Sequence, residues 1–514
     1  VFLYGGFTLK KVLLALVLLF AAASIGNAIP THAQTPKTGG TLVVAQNADV
    51  AGFDPHTIPA FPTVRALGLI YEPLVTVDEN LKVQPALAES WKFSDDALSL
   101  TLKLRKGIKF HNGDTLTSAD VKYTLERILD EKTKALVRAN LAGIKTVAAP
   151  DENTVILTLN NPSVVILTAL ADPNAGIVSA KSAGTDLTDQ KNVNGTGPFK
   201  FESWSPGERL VLAANKSYWQ PGLPYLDKVE IRVIPQESST LAALRAGEVN
   251  FAVLNDPTVA TLIKPDAGLT LTRVPALAYH VLQFNAARDV FKDATVRQAI
   301  SCAIDRKEVL DTAALGEGLV TGPNTIPLYR TPQDQLACYK PDLAKAKQLL
   351  GDKKVSFTVI AANQEPPTAV NEAQNIADQL GKIGITVKIE SMDLDTYVKR
   401  WLAADFDAAI ALNGGRADPH LMFVRYWTSK GNLNKVAGYT DVMLDDLLAK
   451  GERETDAAKR LAVYQDLEKY LVAQAPWVWL YVGYEYRAMQ ASVKGYIATP
   501  LASIYGLRST YLDK

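Results

Sequence analysis

Between Val355 and Gly415 the hydrophobic period changes four times, and that alternation constrains the fold more than any other feature of the chain. "VSFTVIAA", "ITVKIESM" and "DAAIALNGG" have the length and composition of buried strands. Between them, "AVNEAQNIADQLGKIG" and "LDTYVKRWLAA" repeat apolar residues at helical spacing. Strands that alternate with helices of this length pack as open α/β sheets with helices on their faces. Further on, "PWVWLYVGYEY" puts Trp477, Trp479 and Tyr481 on one strand face, the pattern of buried core.

The N-terminal half carries the same two periods. In "ALSLTLKLRKGIKF", Leu98, Leu100, Leu102 and Leu104 alternate with polar residues, as in a strand with one buried face. Asn112-Gly113 then supplies a tight turn, and Thr117 with Asp120 forms a capping box for a helix whose stripe is Val121, Leu125, Ile128 and Leu129. His111 therefore belongs to a strand-turn-helix corner. Gly195, Gly197 and Pro198 set another turn, shaping backbone instead of cradling phosphate. "LPYLDKVEIRVIP" reads as a strand and "ESSTLAALRAGEV" as a helix closed by Gly247. Tyr397 and Trp401, four apart on a helix, are expected in the core.

With 514 residues the chain is long enough for two or three domains. Lys+Arg and Asp+Glu both total 54, so net charge offers nothing to nucleic acid or an anionic membrane. "LKKVLLALVLLFAAASIGNA" pairs two lysines with the apolar run Val12 to Ala23, the pattern of a cleaved export signal. Cleavage is expected after Ala33, with Ala28 second, and no cysteine follows the run to carry a lipid anchor. Export places Cys302 and Cys338 where a disulfide persists. Two buried free thiols are the alternative.

The segment from Leu87 to Ile128, "LAESWKFSDDALSLTLKLRKGIKFHNGDTLTSADVKYTLERI", resembles the signature of extracytoplasmic solute-binding proteins of family 5, which serve peptide, opine and nickel ABC importers. The likeness continues through "NGTGPFKFESWSPGERLVLAANKSYWQPGLPYLDKVEIRVIPQESSTLAALRAGEVNFA" and "VRQAISCAIDRKEVL", in the family's order. The resemblance implies an α/β, two-lobed periplasmic-binding-protein fold, large and type II-like, with an inserted subdomain and a two-strand hinge. It implies a signal peptide over 1–33, a first lobe from 39–75, 192–283 and 484–514, an inserted subdomain over 76–191, and a second lobe over 284–483. The hinge crossings would fall near "VLQFN" and "YVGYEYRAM". A monomer that traps a peptide-like or opine-like solute and passes it to a membrane permease and its ATPase subunits is the implied role, in the periplasm or another extracytoplasmic space. No cofactor, metal or nucleic acid is implied.

In the family, the loop after the strand equivalent to "FDAAIALNGG" enters the pocket, and an aspartate there binds the amine of a peptide. Here that loop reads "NGGRADPH". Gly414 and Gly415 allow close backbone approach to a ligand. Strand counting puts Arg416 at the aspartate's place, and a two-residue shift puts Asp418 there. Arg416 in the cleft suits a carboxylate or phosphate. Asp418 suits an amine, and an Arg416–Asp418 pair that merely orders the loop is the third option. Asn47, after the first strand, also falls where the family lines its cleft. "AANQEPPTAVNEAQ" lacks the arginine that grips the carboxylate in dipeptide-binding relatives. An enzyme is disfavoured, because the chain has no G-x-S-x-G, H-E-x-x-H or P-loop motif and its five histidines are scattered. His420 with Asp418 supplies fewer ligands than a closed metal site needs. A secreted enzyme, or a receptor that feeds a sensor, remains the alternative function.

Overall fold

The N-terminal half is built around β1 (Thr41–Gln46), whose residues from Leu42 onward are mostly buried. The computed structural model describes residue 1 and residues 36–513, apart from 59, 264–267, 364, 365, 430, 432 and 502. The proposed signal segment and both cleavage positions lie outside the described residues. Thr38–Lys514 form one compact unit. Among the described residues no helix is long and apolar enough to cross a membrane.

After β1 the chain builds a separate antiparallel sheet from β2 (Ala88–Phe93), β3 (Ser99–Leu104), β4 (Ile144–Asp151) and β5 (Thr154–Leu159), in the order β2-β3-β5-β4. Leu100, Leu102 and Leu104 of β3 are buried as their alternation demands. Helix α1 (Ser118–Leu129) covers this sheet with Val121, Leu125 and Ile128. At its start the Thr117 amide donates to the Asp120 carboxylate at 2.8 Å and the Thr117 side chain accepts from the Asp120 amide, the expected capping box. His111 closes the corner: its amide donates to Gly195 O at 2.9 Å, and its Nε2 lies 3.0 Å from Gly197 O. The two glycines are needed because a Cβ there would meet Ile70 O at 2.0 Å and Leu69 O at 2.4 Å. The corner is structural.

The chain then returns to β1 with β6 (Phe199–Ser205), β7 (Arg209–Ala214), β8 (Lys228–Val233), β9 (Phe251–Leu254) and β10 (Leu269–Pro275). Three residues later β11 (Tyr279–Phe284) begins, buried along its whole length. Beyond it come β12 (Ser356–Ala362), α2 (Ala369–Gly381), β13 (Thr386–Met392), α3 (Leu394–Ala403) and β14 (Ala408–Asn413). Parallel pairing of β12 with both β13 and β14 confirms the crossover reading of this stretch. Helices α4 (Pro419–Trp427) and α5 (Ala457–Gln474) lead to the last long strand, β15 (Trp477–Gln490).

Strand β15 joins the halves. Its first residues, Trp477 to Tyr481, pair with β11, while Tyr484 to Gln490 pair with β10 and Tyr486 to Met489 with β9. Among the described residues the result is a 12-stranded sheet with the main order β13-β12-β14-β11-β15-β9-β1-β8-β7-β6. The change of partners falls at 276–278 on one strand, just before "VLQFN", and around Gly483 on the other. There the Ala276 amide donates to Gly483 O at 2.9 Å. Beside this point the Glu372 carboxylate, from α2, accepts from Tyr481 Oη at 2.6 Å and lies 2.8 Å from His280 Nδ1, and the His280 ring stacks on Tyr481 at 4.2 Å. Trp477, Trp479 and Tyr481 are buried, as expected. So is Tyr397, whose hydroxyl donates to Ile410 O at 2.7 Å. Cys302 and Cys338 form a disulfide with Cα atoms 4.7 Å apart, which resolves the thiol alternative.

Candidate functional site

The loop after β14 is set by its first residues. Asn413 stands opposite Tyr279 at the end of the β14–β11 ladder, so Gly414 to Arg416 emerge beside the strand change at 276–278. Gly415 is pressed so closely on that segment that a Cβ there would lie 2.1 Å from Leu277 O. Only glycine allows this approach, and it fixes where Arg416 starts.

The loop forms one wall of a cavity of about 740 Å³. Val137, Asn140, Ile166 and Asp172 face it from the segment around the four-stranded sheet, while Arg416, His420, Leu421, Arg425 and Glu452 face it from the half containing β11 to β14. Leu277 and Glu485 line it near the strand change. Its two sides already touch: the Val164 amide donates to Glu452 O at 3.1 Å. One continuous core also holds Leu102, Leu125 and Ile166 from the first side with Met422, Trp427 and Trp479 from the second.

Arg416 is partly buried in this wall, and one of its guanidinium nitrogens, Nη1, donates to Gly415 O at 2.9 Å. Burial lowers its pKa; the like charge of Arg425 adds to that, and Asp172 opposes it. Burial raises the Asp172 carboxyl, against the Asn174 amide and Arg416. The expected Arg416–Asp418 pair is replaced by a different one. Asp418 is buried and does not line the cavity. Its carboxylate caps α4 by accepting from the His420 amide at 2.8 Å and pairs with Arg460 at 2.8 Å. Arg460, on α5, also donates to Gly451 O and to Tyr329 Oη, both at 2.9 Å. The reading of Asp418 as an amine ligand therefore meets a carboxylate already engaged on both counts. Asn47 is exposed after β1 and is not among the lining residues. Gly414 and Gly415 both line the cavity.

Arg425, Asp172, Glu452 and Glu485 were not singled out from the sequence. Arg425 had a signal: it is the one Lys or Arg between Pro419 and Trp427, in a helix otherwise apolar, aromatic or histidine. The acids had none, since the sequence separates them widely and only the fold brings them to one cavity. Glu485 is partly satisfied by Arg487 at 2.6 Å. His420 lies in the wall with its pKa lowered chiefly by burial. Among the described residues no group of three His, Cys, Asp or Glu is placed to hold a metal ion.

A family model described as bacterial extracellular solute-binding proteins, family 5 Middle, matches residues 82–435. The chain belongs to this family. Among curated relatives of this family 5 protein, the oligopeptide-binding protein AppA of Bacillus subtilis (strain 168) is 27% identical over 537 residues, covering 98% of each chain. The glutathione-binding protein GsiB of Escherichia coli (strain K12) is 26% identical over 487 residues, covering 89% of this chain and 92% of its own. Among solved structures, AgaA of A. tumefacien R10, in complex with agropinic acid, is 30% identical with a TM-score of 0.77, over 92% of this chain and 99% of its own. The two-lobed binding-protein architecture is thereby established for this family 5 protein, as is its role as a solute-binding subunit of an importer. Its family is one of binding proteins, not of enzymes.

Proposed function

We propose that the protein captures a peptide-like or opine-like solute between its lobes in an extracytoplasmic space and delivers it, as a monomer, to a membrane permease with ATPase subunits. The observation that carries this reading is the 740 Å³ cavity lined from both sides of the strand change. That volume lies within the few hundred to about 1,000 Å³ common for small-solute sites. The relatives named above are described as binding oligopeptides and glutathione, or were solved with agropinic acid, and all three solutes are acids or carry carboxyl groups. Arg416, which lines the cavity, would meet such a group. One lobe would hold β1 and β6 to β10, with the β2–β5 sheet riding on it, and the other β11 to β14.

Solute binding would favour the closed arrangement only to the extent that it is tighter there. Small-angle scattering with and without saturating solute tests this, and an unchanged radius of gyration at saturation would refute closure. Incubation with candidate peptides tests the enzyme alternative: recovery of the intact peptide after saturable binding is expected, and cleavage would overturn the proposal.

A further inference from the structure

Behind the strand change an ion pair ties the two halves together away from the cavity. Arg273, on β10, donates from Nε to the Glu317 carboxylate at 2.8 Å, and Tyr486 Oη lies 3.4 Å from the same oxygen. Glu317 is 6% exposed. The two partners are anchored in different cores. Strand β10 packs through Leu269 and Leu271 on a cluster that holds Leu244 and Leu254, whereas the helix Arg306–Ala314, which leads to Glu317, packs through Val309 and Leu310 in a cluster with Phe357 and Ile376. The turn itself holds Glu317 in place. Its amide donates to Ala314 O at 2.8 Å, and the next residue, Gly318, pairs with Gly483 so closely that a Cβ would lie 2.5 Å from Val482 O.

Successive residues of a strand point to opposite faces, so Tyr486 turns away from the cavity that Glu485 lines. Arg273 stands opposite Tyr486 in the β10–β15 ladder and shares its face. The ion pair is therefore on the far side of the strand change from the cavity. In a rotation about that change, groups in front and groups behind move in opposite senses, so parting the Val164–Glu452 contact in front drives the groups behind together. Arg273 and Glu317 are already at hydrogen-bond distance while the front is in contact, so opening has to slide or break them. A charge-assisted bond with a buried carboxylate resists that, because breaking it leaves the charge without its partner. We infer that the Arg273–Glu317 pair is a back-stop that biases the lobes towards the closed arrangement and so sets the affinity for solute without touching it. The inference rests on closure about the strand change. A residue that acts only on the open and closed populations changes the apparent affinity for every solute by one common factor.

Arg273→Gln with Glu317→Gln removes the pair without stranding either charge. Calorimetry with glutathione, alanyl-alanine and agropinic acid, well below the melting temperature, reads the effect. The dissociation constant of each probe that the wild type binds is expected to rise about fivefold or more, by the same factor for all. Glu317→Gln alone, the smaller change, should weaken the same probes together. Unequal factors mark a solute contact and overturn the inference, as does a lowered melting temperature with unchanged dissociation constants, the sign of a pair that serves the fold alone. Small-angle scattering separates the inference from the reading beneath it. Compaction of the wild type at saturating probe, with equal affinities in wild type and variants, overturns the back-stop and leaves closure standing; no compaction overturns both. If none of the probes binds, the ligand-free proteins decide: a larger radius of gyration in the variants than in the wild type is expected, and an equal one overturns the inference.

Discussion

At the scale of single residues, the charged groups divide into those committed to the fold and those facing the cavity. His56 is of the first kind. It is wholly buried, its Nε2 lies 2.9 Å from Gly176 O, and its Nδ1 faces the Arg127 guanidinium, which pairs with Asp54 at 2.6 Å. Those partners fit a neutral ring with its proton on Nε2 and an acceptor at Nδ1. Burial is the main cause that pushes its pKa from 6.5 down to about 4, with Arg127 adding to the effect and the Gly176 and Asp54 contacts opposing it. A depressed histidine pKa means that stability is fully present above 6.5 and is lost as pH falls towards 4. The loss should approach roughly 3 kcal/mol. Melting temperatures of the wild type should therefore drop over that window more steeply than those of His56→Gln. Asp418 provides a second residue-scale expectation. Asp418→Asn removes the charge opposite buried Arg460, so it should destabilise by about 3 to 5 kcal/mol in denaturant titration. The variant that still folds should keep the wild type's order of preference among solutes. A changed preference would return Asp418 to the cavity.

At the scale of elements, the C-terminal half was legible almost residue by residue. The strand read in "VSFTVIAA" is observed as Ser356–Ala362, the helix in "LDTYVKRWLAA" as Leu394–Ala403, and the strand in "DAAIALNGG" as Ala408–Asn413. Period and length suffice there because each apolar face has one covering layer. The site was less legible. Arg416 and the two glycines, which line the cavity, were singled out because the loop follows a readable strand. The burial and pairing of Asp418 were not foreseen because its partner, Arg460, lies 42 residues away on another helix. Asp172 reaches the cavity from a segment more than two hundred residues upstream, and no local pattern encodes such a meeting. Gly415 is the element-scale test of the loop. Gly415→Ala should force the loop from Leu277 and weaken solute binding, readable by calorimetry, with a smaller fall in melting temperature. The disulfide pins another pair of elements. Its 36-residue separation implies a stabilisation of about 4 kcal/mol through the unfolded chain, so Cys302→Ser with Cys338→Ser should shift the denaturation midpoint accordingly.

At the scale of the whole molecule, a chain with equal numbers of acidic and basic side chains has charged residues of both signs, Arg416, Arg425, Asp172 and Glu452 among them, lining one cavity. Solute capture of this kind should weaken with salt less than an exposed ion pair does, because partly buried charges are screened less. Titration of the preferred acid at low and moderate ionic strength checks this: a change in affinity below about tenfold is expected where surface steering would give more. The strand change at 276–278 and Gly483 has a mechanical corollary. In a rigid rotation every atom moves in proportion to its distance from the axis. Leu277 lies on one crossing, Glu485 two residues beyond the other, and Gly415 is wedged against Leu277 O. If the lobes rotate about this change of strands, as proposed, this corner of the cavity has a short lever arm, whereas the Val164–Glu452 contact would part as they separate. On that motion an arriving solute would meet a landing corner whose shape is the same before and after the lobes swing, and the travel would be left to the opposite rim.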